Sequence, residues 1–204
     1  MPTQNTVEEV WQGNRKNHET KNLIIRFLHD NLKRHTLGML DGLKIETILD
    51  VGCGEGFFTH EIGKRYPNSN ITGIDMENEY INLANKIHKL DNITYTNKDV
   101  ESLNSDEKYD LVILTEVLEH LNNPDKMLEK IKSISAKYIL ISVPNEPFFR
   151  LGNIVALKYL KTLGNTPGHL HNWSRMKFTK KLKKLGFNFT IRTSSFWNIA
   201  LIKQ

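Results

Sequence analysis

Seven residues constrain the architecture of this chain more than any others: Asp50-Val51-Gly52-Cys53-Gly54-Glu55-Gly56, with glycines at alternate places directly after the apolar run that begins at Ile48. Glycine takes positive φ at little cost and lets a backbone approach a ligand closely. A strand that turns through such a loop into a helix is the unit of open α/β sheets, whose ligands bind beyond the carboxyl ends of the strands. The pattern downstream agrees. It predicts a helix over 58–66 stopped by Pro67, a strand over 70–75, a helix over 79–90 and a strand over 93–97. It then predicts a strand over 109–114, a helical pair over 117–121 and 125–133, and a strand over 138–143. Strands alternating with helices at this spacing imply a three-layer α/β fold with right-handed crossovers. The ending differs: a helix over 174–185, then strands over 187–193 and 196–202 with a short connection, so the sheet should close on an antiparallel edge hairpin. Upstream, Leu23, Ile24, Phe27, Leu28 and Leu32 recur at three- and four-residue spacing and predict a helix over 7–36.

At 204 residues, with 39% apolar and 25% charged residues, the chain has an ordinary globular balance, which excludes a disordered or fibrous class. Its one cysteine excludes a disulfide framework and fits a reducing compartment. The first residues lack the basic-then-apolar layout of a signal peptide, and no apolar run is long enough to span a bilayer. A soluble, cytoplasmic protein is the expectation. The charge is uneven: residues 1–146 hold 17 basic and 23 acidic side chains, whereas residues 147–204 hold 11 basic and none acidic. That last quarter suits an anionic substrate, a lipid headgroup or a nucleic acid; the bland reading is a solvated lysine-rich helix face.

Two ligand classes compete for the glycine loop. A dinucleotide fingerprint needs a glycine at its sixth place, where Phe57 stands, and the Asp50 carboxylate would repel a pyrophosphate. A carboxylate there suits a cation, and S-adenosylmethionine carries both a sulfonium and an ammonium group. Asp75 ends the second predicted strand, where an acid can accept from both ribose hydroxyls, and Met76 can lie against the adenine. Asp99-Val100 follows the third strand, where a carboxylate can accept from the adenine amino group. Three aspartates closing three successive strands make a stronger signal than any one of them.

On these residues the sequence resembles the class I S-adenosylmethionine-dependent methyltransferases. The matching pieces are Ile48 to Gly56, Gly73-Ile74-Asp75-Met76, Lys98-Asp99-Val100, Tyr109-Asp110-Leu111-Val112 and Glu116-Val117-Leu118-Glu119-His120-Leu121, the last as in the small-molecule branch. The resemblance covers about residues 45–204 and implies a Rossmann-like, seven-stranded, mostly parallel sheet with an antiparallel edge hairpin. It implies that Asp50, Gly52, Gly54, Gly56, Asp75, Met76, Asp99, Val100 and Glu116 seat the cofactor and that His120 faces the acceptor. Cys53 is common at its place in the family motif and reads as packing. The aminomethylating tetrapeptide Asn/Asp-Pro-Pro-aromatic is absent; Thr115-Glu116-Val117-Leu118 stands there, against base-amine methylation of DNA.

Glu116, Glu119 and His120 fall at i, i+3 and i+4, one face of a helix, and could ligate a divalent cation with His169 from a later segment. The arrangement resembles two metal-assisted branches, the quinone-biosynthesis O-methyltransferases and the small-RNA terminal 2′-O-methyltransferases, whose later His-x-x-x-Trp is matched by His169 and Trp173. The ion would be magnesium or manganese. The alternative is a metal-free site, with the first glutamate seating the cofactor. Between them, residues 144–173 carry Phe148, Phe149, Leu151, Ile154, Val155, Leu157, Tyr159 and Leu160 among Arg150, Lys158 and Lys161, where the resemblance places a substrate lid. An aromatic lid with a basic rim suits an amphipathic or anionic acceptor; a helix packed on the core would read the same way. Trp11 and the amino-terminal helix are expected to close the other side.

The expected organisation is one domain: an amino-terminal helical extension (1–44), a cofactor-binding core (45–143), a lid insertion (144–173) and a carboxyl-terminal helix and hairpin (174–204). The leading expectation is methyl transfer to a small-molecule or lipid-like acceptor at oxygen. The alternatives are a metal-assisted RNA-end 2′-O-methyltransferase, a non-catalytic adenosylmethionine-binding partner protein and an NAD oxidoreductase.

Overall fold

The computed structural model describes residues 23–155, 162–166, 168–194 and 196–204. Residues 7–22 of the expected first helix, Trp11 among them, and Leu157, Lys158, Tyr159, Leu160 and Lys161 of the expected lid lie outside the described residues. The described part of the first helix, α1, is Leu23–Gly38. There follow β1 (Thr47–Val51), α2 (Phe57–Arg65), β2 (Asn70–Asp75), α3 (Asn78–Ile87), β3 (Ile93–Asn97), β4 (Tyr109–Thr115) and α4 (Pro124–Ile134). The chain ends with β5 (Ser135–Pro144), α5 (Phe148–Val155), α6 (Arg175–Lys184), β6 (Asn188–Ser194) and β7 (Trp197–Lys203).

The seven strands lie in the order β3-β2-β1-β4-β5-β7-β6. β1 through β5 pair in parallel, and β7 joins β5 and β6 antiparallel, as the short connection between the last two strands predicts. The central strands are largely apolar, most continuously over Leu111–Leu114 of β4, because both faces are covered. Along them the side chains alternate between two cores. Leu49, Val112, Leu114, Ile139 and Ile141 meet Leu128, Ile131, Phe178 and Leu182 of α4 and α6. Ile48, Leu111, Ile113 and Leu140 meet Ile62, Ile81 and Ala84 of α2 and α3.

Local chemistry sets the helix starts. Asn123 accepts from Lys126 N ahead of Pro124 in α4, and Ser174 accepts from Lys177 N at the start of α6. One expected helix is not there. Residues 117–121 make only a three-residue 3₁₀ turn, Leu118–His120, and Glu116 before it has φ +58. A residue in the left-handed region cannot continue a right-handed helix, so Glu116, Glu119 and His120 do not share a helical face.

Candidate functional site

Strand order reverses between β1 and β4, and the crevice beyond their carboxyl ends is the topological switch point. The glycine loop enters it from β1, and the Glu116–His120 turn enters from β4. Gly52 has φ +70, and a Cβ on it would stand 2.7 Å from Val117 Cγ2, so the two walls of the crevice touch only because residue 52 lacks a side chain. Gly54, at φ +53, faces open space.

Two aspartates shape this end. Asp75 Oδ2 accepts from Gly54 N (2.9 Å) and Oδ1 from Glu77 N (2.9 Å), which pins the loop to the end of β2. Each oxygen keeps a lone pair for a ligand hydroxyl. Asp50 is fully buried; its Oδ2 accepts from Thr59 Oγ1 (2.6 Å), and Oδ1 has no partner among the described residues. Burial pushes its carboxyl up to about 7; the Thr59 hydroxyl opposes this and the Asp75 charge adds to it. A buried carboxyl with one oxygen unspent fits a ligand that brings a cation. Met76 is 70% exposed and free to cover a ligand face. Asp99 is exposed and caps the 3₁₀ turn Val100–Ser102 by accepting from Glu101 N, while the Val100 side chain packs in the core. Any ligand contact at Val100 therefore runs through its backbone. Burial raises the Cys53 thiol well above its ordinary range, so it is inert, in keeping with a packing role.

Opposite the loop, two carboxyls and two imidazoles meet. Glu119 is 0% exposed, and neither of its oxygens has a partner among the described residues. Burial, then the nearby Glu116 charge, raises it well above the carboxylate range. Glu119, His120 and His169 offer ligand atoms within 4.8 Å of one another. Glu116 stands outside this set, a correction to the four-ligand expectation: its carboxyl accepts from Trp197 Nε1 (2.8 Å) and Ser142 Oγ (3.1 Å). Burial still lifts it to about 7, against those two donors. His120 Nδ1 lies 3.0 Å from Gly168 O; a carbonyl only accepts, so Nδ1 carries the proton and Nε2 presents its lone pair. Burial lowers the basicity of both imidazoles, and His169, beside His120, drops to about 4. His169 reaches this place because Leu170 N and His171 N both donate to Glu119 O. Trp173 is buried and packs edge-on to Phe178, which makes it core.

Sequence reasoning missed Thr59, Ser142 and Trp197, and it named Phe149 only as one of the lid's apolar residues. Phe149 stacks on His169 (centroids 5.8 Å, 26°) and meets Trp197 edge-on, forming a wall beside the imidazoles. Nothing in the linear pattern pairs residue 116 with residue 197; only the antiparallel β5–β7 register, which sets Pro144 opposite Trp197, brings that indole to the end of β4. Trp197→Phe removes a donor from a buried carboxyl and should cost about 1–2 kcal/mol in denaturant unfolding, with m unchanged.

Comparison with known proteins follows the same lines. A family described as "Methyltransferase domain" matches residues 44–192. The ubiquinone biosynthesis O-methyltransferase of Rickettsia bellii is 32% identical over 164 residues, 78% of this chain and 65% of that protein. The malonyl-[acyl-carrier protein] O-methyltransferase of Bacillus cereus is 33% identical over 84 residues, 41% of this chain and 31% of that protein. The matched stretches thus span about one third to two thirds of these relatives. The plantazolicin methyltransferase BpumL, solved in complex with SAH, superposes with a TM-score of 0.73 at 20% identity, covering 95% of this chain and 88% of that one, which shows the shared fold.

Proposed function

Because the chain belongs to the methyltransferase domain family, we propose that it transfers the methyl group of S-adenosylmethionine to a hydroxyl of a small or lipid-like molecule. The observation that carries this reading is the pairing of the two aspartates at the switch point: Asp75 pins Gly54 with lone pairs to spare, and Asp50 holds an unpartnered buried oxygen. The glycine loop, Asp50, Asp75 and Met76 would hold the cofactor, which supplies a methyl group on a cationic sulfur. Position and alignment provide much of the acceleration of such a displacement. His120 Nε2 would take the proton of an acceptor hydroxyl, a role supported by the low basicity of both imidazoles, which keeps them neutral and able to accept at pH 7. Residues 144–173 would form the acceptor side, with Phe149 as its wall. The relatives named above act, by their names, in ubiquinone biosynthesis and on a malonyl carrier protein, which supports O-methylation of a small or carrier-borne group. Transfer of label from methyl-labelled S-adenosylmethionine to a lipid or small-molecule extract, lost in His120→Ala, is the test.

The convergence of Glu119, His120 and His169 favours a second reading, in which a divalent ion assists at the same place. One carboxylate and two imidazoles suit manganese better than magnesium, which prefers oxygen. With the basic residues beyond 146, that version would extend to RNA-end 2′-hydroxyls. Manganese titrated calorimetrically into protein saturated with S-adenosylhomocysteine separates the two: stoichiometric heat absent in Glu119→Ala selects the ion, and no heat in either leaves His120 as a metal-free base.

A further inference from the structure

The segment that carries His169 is bonded at both ends, to different parts of the fold. Its far end holds the 119–121 turn. Gly168 O accepts from His120 Nδ1 (3.0 Å), and Leu170 N and His171 N donate to Glu119 O (2.8 and 3.2 Å). His171 Nε2 lies 2.8 Å from Leu121 O, so that nitrogen carries its proton. At the near end the 162–166 turn lies along α5. Asn153 Nδ2 donates to Gly164 O (2.8 Å) and to Thr166 Oγ1 (3.2 Å), and Arg150 Nη2 donates to Thr162 O (3.3 Å). Between the two ends, His169 N reaches back to Thr166 O (3.2 Å). Close approach at both ends depends on glycine. A Cβ on Gly164, at φ +75, would collide with Arg150 O, and one on Gly168, at φ +88, would stand 3.3 Å from His120 Nδ1. The turn's one bulky apolar side chain, Leu163, is 73% exposed, so hydrogen bonds rather than apolar burial hold it. Leu163 also adopts φ +51, a conformation that persists in leucine only where its surroundings impose it. The bonds from Asn153 and Arg150 supply that constraint.

We infer that Asn153 is a positioning residue: through this strap it sets the Gly168 carbonyl against Nδ1 and so fixes His120 as the Nδ1–H tautomer. A neutral imidazole has two tautomers, and the partner of one nitrogen decides which is present. Only the Nδ1–H form leaves Nε2 a lone pair that can accept a proton or bind an ion. Gly168 is exposed, so water competes with its carbonyl for the Nδ1 proton unless the strap is held in place. Asn153 suits that task because its amide nitrogen has two hydrogens and spends both on the strap, at residues four and two places ahead of Gly168. Arg150 adds a single bond, at Thr162, further from the imidazole along the chain. The strap and the tautomer stand on these bonds alone; that the Nε2 lone pair takes the proton of an acceptor hydroxyl rests on the methyl-transfer reading.

Long-range proton–nitrogen NMR of the full chain with isotope-labelled histidine reads the tautomer directly. The protein is saturated with S-adenosylhomocysteine and kept in chelator at pH 8, where both imidazoles are neutral. The His120 signals are those lost in His120→Gln. In wild type, Nδ1 should show the shift of a protonated ring nitrogen and Nε2 that of an unprotonated one. Asn153→Asp keeps the side chain's shape and loses both donors, so its two His120 nitrogens should move toward a common averaged shift, with affinity for S-adenosylhomocysteine unchanged. Transfer of labelled methyl to the extract should fall at least about tenfold in the same variant, as for other partners that orient a functional imidazole. Gly168→Ala should average the His120 shifts from the other end of the strap. A wild-type His120 in the Nε2–H form, or as a mixture, overturns the proposal even if a variant does not fold. So do wild-type His120 shifts in Asn153→Asp. Averaged shifts in Asn153→Asp with undiminished methyl transfer would overturn the role of His120 in the methyl-transfer reading and leave the strap standing.

Discussion

Asp75→Ala should weaken S-adenosylhomocysteine binding at least about tenfold, and up to about a hundredfold, in calorimetric titration. The lower bound comes from losing a charged acceptor for ligand hydroxyls, a bond of about 1.5–3 kcal/mol. The wild-type carboxylate also accepts from Gly54 N and Glu77 N, so alanine frees the glycine loop and the turn after β2 together. Asp75→Asn separates the two contributions, because its carbonyl oxygen can still accept one of those N–H groups while the charge is gone. If loop pinning dominates, asparagine recovers much of the affinity; if charge dominates, it resembles alanine. An affinity unchanged in alanine would remove this crevice as the cofactor site.

The layers and the edge hairpin were legible because they depend on period and punctuation, which are local. Val112, Leu114, Ile139 and Ile141 alternate with Ile113 and Leu140, and both faces of the sheet need partners of that kind. Asp50 and Asp75 were legible for a related reason: each ends a strand, and strand ends of parallel neighbours converge. The 116–120 turn was misread because a Glu-x-x-Glu-His spacing scans equally well as α-helix or as an irregular turn. The positive φ of Glu116 is held by contacts with Ser142 and Trp197 that are 26 and 81 residues away. A strained backbone of this kind persists only where its surroundings over-determine it, and local pattern carries no trace of them. His169 was found through a motif, yet the position that gives it meaning comes from Leu170 and His171 bonding to the Glu119 carbonyl.

The pH dependence of stability should expose Asp50. Its carboxyl titrates near 7 in the folded protein and near 3.8 when unfolded, so between those values the folded state holds a proton that the unfolded state has lost. Asp50 alone should then lower the unfolding free energy of the ligand-free protein by about 4 kcal/mol as pH rises from about 4 to about 7. His169, held near 4 when folded, contributes with the opposite sign over much of that window, so the Asp50 slope is read as the difference between wild type and Asp50→Asn. Glu116, lifted to about 7 as well, steepens the same slope. Asp50→Asn should flatten the slope by one proton and make the variant more stable than wild type at pH 8, because a neutral amide has no charge to desolvate. It should also bind cofactor more weakly. The ammonium group of S-adenosylhomocysteine would draw Asp50 to its carboxylate, so wild type should release a proton on binding at pH 6. The calorimetric enthalpy would then depend on the ionisation enthalpy of the buffer, and in Asp50→Asn that dependence should fall away. A wild-type enthalpy that is the same in phosphate and in an amine buffer would mean that Asp50 meets no cation in the complex, and the electrostatic reason for preferring a sulfonium ligand at this loop would go with it.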